Sequence, residues 1–368
     1  MIPNKEPFAV VVNKQNIADI HVVPVQLNHL AANQIRIRIE HFGLSANNVT
    51  YAVTGDSFGY WGFFPVSPLS VPDFATGFGI IPLWGFAQVI ESNHTNIAVG
   101  QRFFGYLPMA SEWVMDAQQV THFGFIDKLA SRVSNSPLYD SYQWCDADPY
   151  YDPQREIWQA NFRPLFLTSF ALAQYLASET VETASTILLT SASSKTAIGC
   201  AMLLQQLPQL DVVGLTSSHN VAFVEQLDCY DEVLEYGQVA NMRYKTPVWI
   251  LDFAGNKTLL QQLQEILDHL HYTTLFIGIT DIQAQQSKPP GKLKGEMFFA
   301  PDHIKLLNKM WGRERFVLEY GQAWQQVANG LQGHFEYDEF VGTAALIERY
   351  QHIIQGNIEP TKLLLGRF

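Results

Sequence analysis

Four hydroxyls and one ammonium (Ser191, Ser193, Ser194, Lys195 and Thr196) stand between an apolar stretch, Thr186–Thr190, and a helix-forming one, Thr196–Leu207. A strand, a small-residue turn and a helix in that order make an anion site. The first amides of the helix have no intrahelical acceptor, and the helix dipole is positive at that end. Hydroxyls and an ammonium add charge-assisted hydrogen bonds to a phosphate. Set against the G-x-G-x-x-G spacing of dinucleotide-binding turns, the glycine positions fall on Ala192, Ser194 and Ala197, so all three glycines are replaced. Ala197 still lets the helix pack closely on the strand. Ser194 is the serious departure, because its Cβ stands where the backbone would approach a pyrophosphate. A capped βα turn that binds nothing fits the same residues. A P-loop fits worse, since Ser194, Lys195 and Thr196 imitate only the tail of that motif.

The second strand bears on the choice of cofactor. Dinucleotide folds that take NAD place an acid on the ribose about 20 residues after the glycine turn. Here that region carries Thr216, Ser217 and Ser218 with no carboxylate. A carboxylate would repel a 2′-phosphate and hydroxyls would bond it, with Lys195 or His219 as the source of charge. The expectation is NADP(H) in preference to NAD(H).

The elements that must position these groups fall into two kinds. Over the first ~130 residues, short β-propensity runs (Phe8–Val12, Ile35–Ile39, Gln88–Glu91, Arg102–Tyr106, Trp113–Met115) alternate with Gly-, Pro-, Asn- and Ser-rich segments, which predicts a small barrel or sandwich. After Asp152 and Pro153 the pattern changes. A long helix, Glu156–Ser178, is expected with an interruption at Arg163 and Pro164. Strands at Thr186–Thr190, Val212–Thr216, Val248–Phe253 and Thr273–Ile279 then alternate with helices, which implies a doubly wound parallel sheet. A helix at Asp302–Arg313 and a closing strand at Lys362–Arg367 follow, and Glu336–Phe340 reads as a solvated acidic face.

Composition excludes several classes. A net charge of −12 with no dense basic stretch argues against nucleic acid. No apolar run approaches the ~20 residues of a membrane-spanning helix, and the first residues lack the pattern of a signal peptide. Three scattered cysteines (Cys145, Cys200, Cys229) give neither a disulfide framework nor a Cys-rich zinc site, and a reducing cytoplasm suits them.

Taken in order, Gly43–Tyr51, Val99–Pro108, Arg163–Phe170, Ser191–Ala197, Leu251–Gly255 and Phe276–Gly278 give the chain a resemblance to the medium-chain dehydrogenase/reductase superfamily over nearly its whole length. Within it the chain looks like the zinc-free quinone-oxidoreductase-type members, and among them like the family of unknown function DUF2855. The resemblance implies an α/β protein: a GroES-like β-rich substrate domain (1–150), a Rossmann doubly wound parallel sheet (151–300), and a C-terminal segment (301–368) partly returning to the first domain. It implies that Gly255, Gly278 and Ile279 lie near the nicotinamide end and that Arg163 and Thr168 face the cleft. It also implies an edge-to-edge homodimer. Arg163 equally suits a structural salt bridge.

Catalytic zinc needs Cys, His or acid ligands, and the regions where relatives carry them read Leu44–Asn48 and Pro82–Trp84. No metal is expected. Reduction then depends on placing a small-molecule substrate and donating to its developing oxyanion. Tyr51 is the leading donor and Asn48 follows it, with a turn-capping Asn48 and a barrel-packing Tyr51 as the plainer alternative. Two functions fit these residues: an NADPH-dependent reductase of a carbonyl, enone or quinone, and a non-catalytic nucleotide-sensing or scaffolding protein with a degenerate dinucleotide site. The aromatic segment Asp56–Pro65 reads as a lid or as a loop tucked into its own domain.

Overall fold

The computed structural model describes residues 6–66, 74, 76–129, 132, 137–180, 183–277, 293–357 and 359–368. The chain opens with β1 (Phe8–Asn13), β2 (Ile20–Pro24), β3 (Gln34–Leu44), α1 (Ala46–Val53) and β4 (Phe78–Ile80). Next come β5 (Pro82–Ser92), β6 (Arg102–Pro108), β7 (Glu112–Gln118), β8 (Gly124–Asp127), α2 (Pro137–Asp140) and β9 (Ser141–Trp144). The middle holds α3 (Glu156–Glu179), β10 (Ser185–Leu189), α4 (Lys195–Leu204), β11 (Leu210–Thr216), α5 (Val221–Gln226) and β12 (Glu232–Glu235). It continues with β13 (Val248–Asp252), α6 (Lys257–Leu267), β14 (Tyr272–Phe276), β15 (Glu296–Met297), α7 (Ala300–Trp311) and α8 (Arg313–Gly330). β16 (Glu336–Val341), α9 (Thr343–Ile354) and β17 (Lys362–Arg367) close the chain.

Two units result: Met1–Asn161 with Tyr337–Phe368, and Phe162–Glu336. The sequence draws its boundaries at 150 and 300 instead. The later positions have a packing cause. The first turn of α3 is tied to the barrel through Glu156, and α7 and α8 stack on the rest of α3, with Phe166 5.4 Å from both Tyr320 and Trp324.

In the first unit, β3-β5-β6-β9-β8-β7 closes into a barrel because β7 pairs back to β3. β3 is long enough to serve two partners on one side: residues 34–38 pair with β7 and residues 42–44 with β17. Its alternation is the expected one. Ile35, Ile37 and Ile39 are buried, and Arg36 and Arg38 point outward to Glu91 and Glu112. Each such isoleucine stabilises the core by about 1.5–3 kcal/mol. Glu156, 4% exposed, accepts hydrogen bonds from His41, from Tyr151 at 2.6 Å and from Arg102 at 2.9 Å. Three donors hold its carboxyl below the usual range, against the upward push of burial. Within Asp56–Pro65, Trp61, Phe63 and Phe64 are core residues.

In the second unit all the strands run parallel in the order β12-β11-β10-β13-β14-β15. Residues of β10 and β13 are buried throughout, as strands covered on both faces must be. The chain winds outward from β10 to β12 and returns to β13 on the other side. The tips of β10 and β13 therefore flank the switch point, where doubly wound sheets bind ligands. The expected interruption at Arg163 and Pro164 is absent, and α3 runs through it. Proline removes a single N–H, while buried Phe162, Phe166 and Phe170 keep the helix packed. Glu336–Phe340, expected as a solvated acidic face, is the strand β16; Glu336 and Glu339 are exposed as expected, and Phe340 faces the core.

Candidate functional site

The glycine-free turn is held residue by residue. Thr190 Oγ1 donates to Asp252 Oδ1 (2.8 Å) and accepts the amides of Phe253 and Ala254 at 3.0 and 3.1 Å. Ser191 takes a left-handed conformation (φ 49°) and donates its amide to Tyr236 Oη at 3.2 Å. For a residue with a Cβ that conformation costs roughly 1–2 kcal/mol. Ala192 donates to the Leu215 carbonyl (3.0 Å), and its own carbonyl accepts from Tyr230 Oη (2.8 Å). Ser193 Oγ accepts from Asn220 Nδ2 at 3.2 Å. Ser194 caps α4, its Oγ accepting the Ala197 amide at 3.3 Å, while its own amide goes to the Ser191 carbonyl at 2.8 Å.

The backbone shows a departure that the glycine spacing does not mark. Ser194 has an ordinary extended backbone (φ −75°), and Ser191 is the residue in a conformation that suits glycine. Besides the hydroxyls, two kinds of donor at the start of α4 can meet an anion. One is the pair of first-turn amides, Lys195 and Thr196, which no helix can satisfy internally. The other is the Lys195 ammonium. The residue as a whole is half-buried, but its charged end lies 5.9 Å from the centre of the Phe162 ring in apolar surroundings. Among the described residues it has no carboxylate partner, and burial pushes its pKa down to about 8. A cation at the first position of a helix also opposes the dipole, so it is doubly unfavourable without an anion beside it.

Around the turn, Thr216 ends β11, 1% exposed, and its carbonyl accepts the Tyr236 amide at 3.2 Å. Ser217 Oγ lies 3.3 Å from His219 Nε2. Gly255 (φ 68°, a conformation that favours glycine) donates its amide to both carboxylate oxygens of Asp252 at 3.2 Å. Burial raises the Asp252 pKa against these bonds. Thr168 is half-buried beside Ser169, whose hydroxyl donates to the Thr196 carbonyl at 2.7 Å. The Arg163 carbonyl accepts from Tyr320 at 3.5 Å. Gly278 and Ile279 lie outside the described residues. Sequence reasoning missed Thr190, Tyr230, Tyr236 and Asp252. Only Asp252 left a visible signal, an acid ending an apolar strand.

Asn48 and Tyr51 belong to the first unit, on α1. Asn48 is 3% exposed; its amide oxygen accepts the Ser45 amide at 2.8 Å and its nitrogen donates to the Pro82 carbonyl at 2.9 Å. Tyr51 Oη accepts from Asn47 Nδ2 (2.7 Å) and Trp84 Nε1 (3.0 Å), so its own proton is the one it has to give. Its ring packs 4.7 Å from Tyr60 and 5.4 Å from Tyr106. Burial, and then Tyr60, raise its pKa, which keeps it a phenol and a donor. Among the described residues, no group of three His, Cys, Asp or Glu is placed to hold a metal ion.

Residues 42–359 match a family described as "Protein of unknown function (DUF2855)". No curated protein matches the chain. Among solved structures, CurA from Vibrio vulnificus in complex with NADPH is similar at 11% identity and a TM-score of 0.61, with 98% of both chains covered. A mutant enoyl thioester reductase from Candida tropicalis matches at 11% and 0.60, covering 99% of this chain and 100% of that one. The quinone oxidoreductase of Coxiella burnetii matches at 13% and 0.54, again covering 99% and 100%. At such identities the likeness establishes a fold alone: a GroES-like barrel and a Rossmann sheet.

Proposed function

We propose that this chain, which belongs to the DUF2855 family, is a zinc-independent, NADPH-dependent oxidoreductase that reduces a small carbonyl, enone or quinone. The observation that carries the reading is Lys195 at the start of α4, a desolvated cation that has no anionic partner among the described residues. The donor set fits a dinucleotide diphosphate. The Lys195 and Thr196 amides, the Lys195 ammonium and the hydroxyls of Ser191, Ser193, Ser194 and Thr196 would hold the phosphates. Thr216 and Ser217 would hold the ribose end, with no carboxylate to repel a 2′-phosphate. Gly255, Gly278, Ile279, Arg163 and Thr168 complete the proposed contacts. NADPH, when bound, supplies the hydride. Tyr51 donates a proton to the substrate oxygen, and Asn48 positions it by fixing the start of α1.

The likeness to CurA solved with NADPH supports this reading, as does the net charge of −12 for a partner other than nucleic acid. Among the described residues, no helix is long and apolar enough to cross a membrane. Three buried free cysteines suit a cytoplasmic protein. Exposed Met297, Phe299, Leu306 and Met310 gather at β15 and along one stripe of α7, the edge assigned to a homodimer; light scattering decides it.

The test is calorimetric titration with NADPH and NADH. NADPH is expected to bind more tightly and to stabilise the fold by about 2.7 kcal/mol at a hundredfold excess over Kd. Absence of NADPH binding overturns the proposal. A second reading, nucleotide sensing or scaffolding without turnover, draws on the burial of Tyr51, 4% exposed. Binding without NADPH oxidation across aldehydes, ketones, enones and quinones would favour it.

A further inference from the structure

We infer that Tyr230 and Tyr236 are positioning residues that replace the missing glycines, clasping the 190–194 turn in the shape that binds a dinucleotide diphosphate. The inference rests on the proposed function. Glycines in such a turn serve two purposes: they take backbone conformations closed to other residues, and they let backbone and neighbouring elements approach closely. Both purposes are met here by groups distant in sequence. The first falls to Tyr236, whose hydroxyl accepts the amide of Ser191, the turn residue at φ 49°. Its own amide is fixed to the Thr216 carbonyl at 3.2 Å, so the hydroxyl is presented from an anchored backbone. The second falls to Tyr230, 8% exposed, whose hydroxyl donates to the Ala192 carbonyl at 2.8 Å.

A glycine is still needed, but in the neighbouring strand. A Cβ on Gly214 of β11 would lie 3.0 Å from the Ala192 Cβ and 3.0 Å from the Tyr230 ring. The bare backbone at Gly214 makes the space in which Ala192 and the Tyr230 ring meet. Close approach has moved from the turn to the strand beside it, and the left-handed residue is held by a phenol. Neither tyrosine is required to touch the cofactor.

The experiment compares NADPH affinity by calorimetry in wild type, Tyr236→Phe, Tyr230→Phe, Ser191→Gly and the double variant Ser191→Gly/Tyr236→Phe, with hydrogen exchange of the turn amides alongside. Each lost hydroxyl is expected to weaken NADPH about fivefold, the size of one hydrogen bond. Tyr236→Phe should speed exchange of the Ser191 amide by about tenfold. Glycine takes the left-handed conformation unaided, so Ser191→Gly should rescue Tyr236→Phe to within about twofold of the Ser191→Gly single variant. Wild-type affinity in Tyr236→Phe, or no rescue, overturns the clasp. If wild type fails to bind NADPH, the proposed function falls, and exchange alone then judges the clasp: faster exchange in Tyr236→Phe sustains it, unchanged exchange removes it.

Discussion

Two helices of this protein begin at a serine, and they end up with opposite roles. At α1, Ser45 Oγ accepts the Asn47 amide at 3.3 Å, and Asn48, at the third helical position, reaches back to the Ser45 amide. The box is closed. At α4, Ser194 caps in the same way, but the third position is Ala197, which has nothing to reach back with. The Ser194 amide turns instead to the Ser191 carbonyl, and Lys195 occupies the first position. At one helix start the third residue bonds the cap amide; at the other it cannot, and that start is the one proposed to hold an anion. A polar residue near a helix start is evidence for a ligand only after its bonds to the fold are known.

The comparison is open to attack, from the largest effect downward. Tyr51→Phe keeps the packing and removes the proton; NADPH oxidation should fall by 10²-fold or more with Kd for NADPH unchanged. An unchanged rate would make α1 structural throughout. Lys195→Met should weaken NADPH by about a hundredfold, the upper range for a charged hydrogen bond, and raise the melting temperature of the free protein by removing an unpaired cation.

The same lysine sets a pH dependence. Its pKa in the free protein, about 8, lies below its ordinary value of 10.5, and a bound anion raises it again, so binding takes up a proton. NADPH affinity should therefore be full below pH 8 and decline as pH rises through it. The sign reverses for folding: the enclosed ammonium costs stability below pH 8 and is relieved between 8 and 10.5. Kd and melting curves across that window, repeated with Lys195→Met, check both signs. The smallest effect is that of Asn48→Ala. Opening the box at α1 should cost about 1 kcal/mol in denaturant melts and leave NADPH affinity alone.

The strands of the parallel sheet were legible because continuous apolar runs of that length have few other homes. The turn after β10 was legible for the same reason, since a strand and a helix bracket it. Its inner structure was not. A left-handed residue announces itself in sequence when it is glycine, and Ser191 is not. Ser194, three residues on, was singled out for its Cβ at a glycine position, a matter of space that says nothing of which residue turns left-handed. Tyr230 and Tyr236 lie 38 and 45 positions away from the turn residues they bond, a relation that only strand pairing creates. Asn48 was read as a substrate contact with a turn cap as the alternative, because side-chain type does not tell a cap from a contact.

The way β3 is shared has a consequence for synthesis. β17, residues 362–367, lies against residues 42–44 of β3, and the Asn161 amide bonds the Leu364 carbonyl at 2.9 Å. The parallel-sheet unit is one unbroken stretch and is fully translated before the barrel unit is complete. The barrel unit waits with a bare edge on β3 while some three hundred residues are added. On the ribosome the later-encoded unit is finished before the earlier one, and the β3 edge at 42–44 stays unpaired by β17 until the last residues are made.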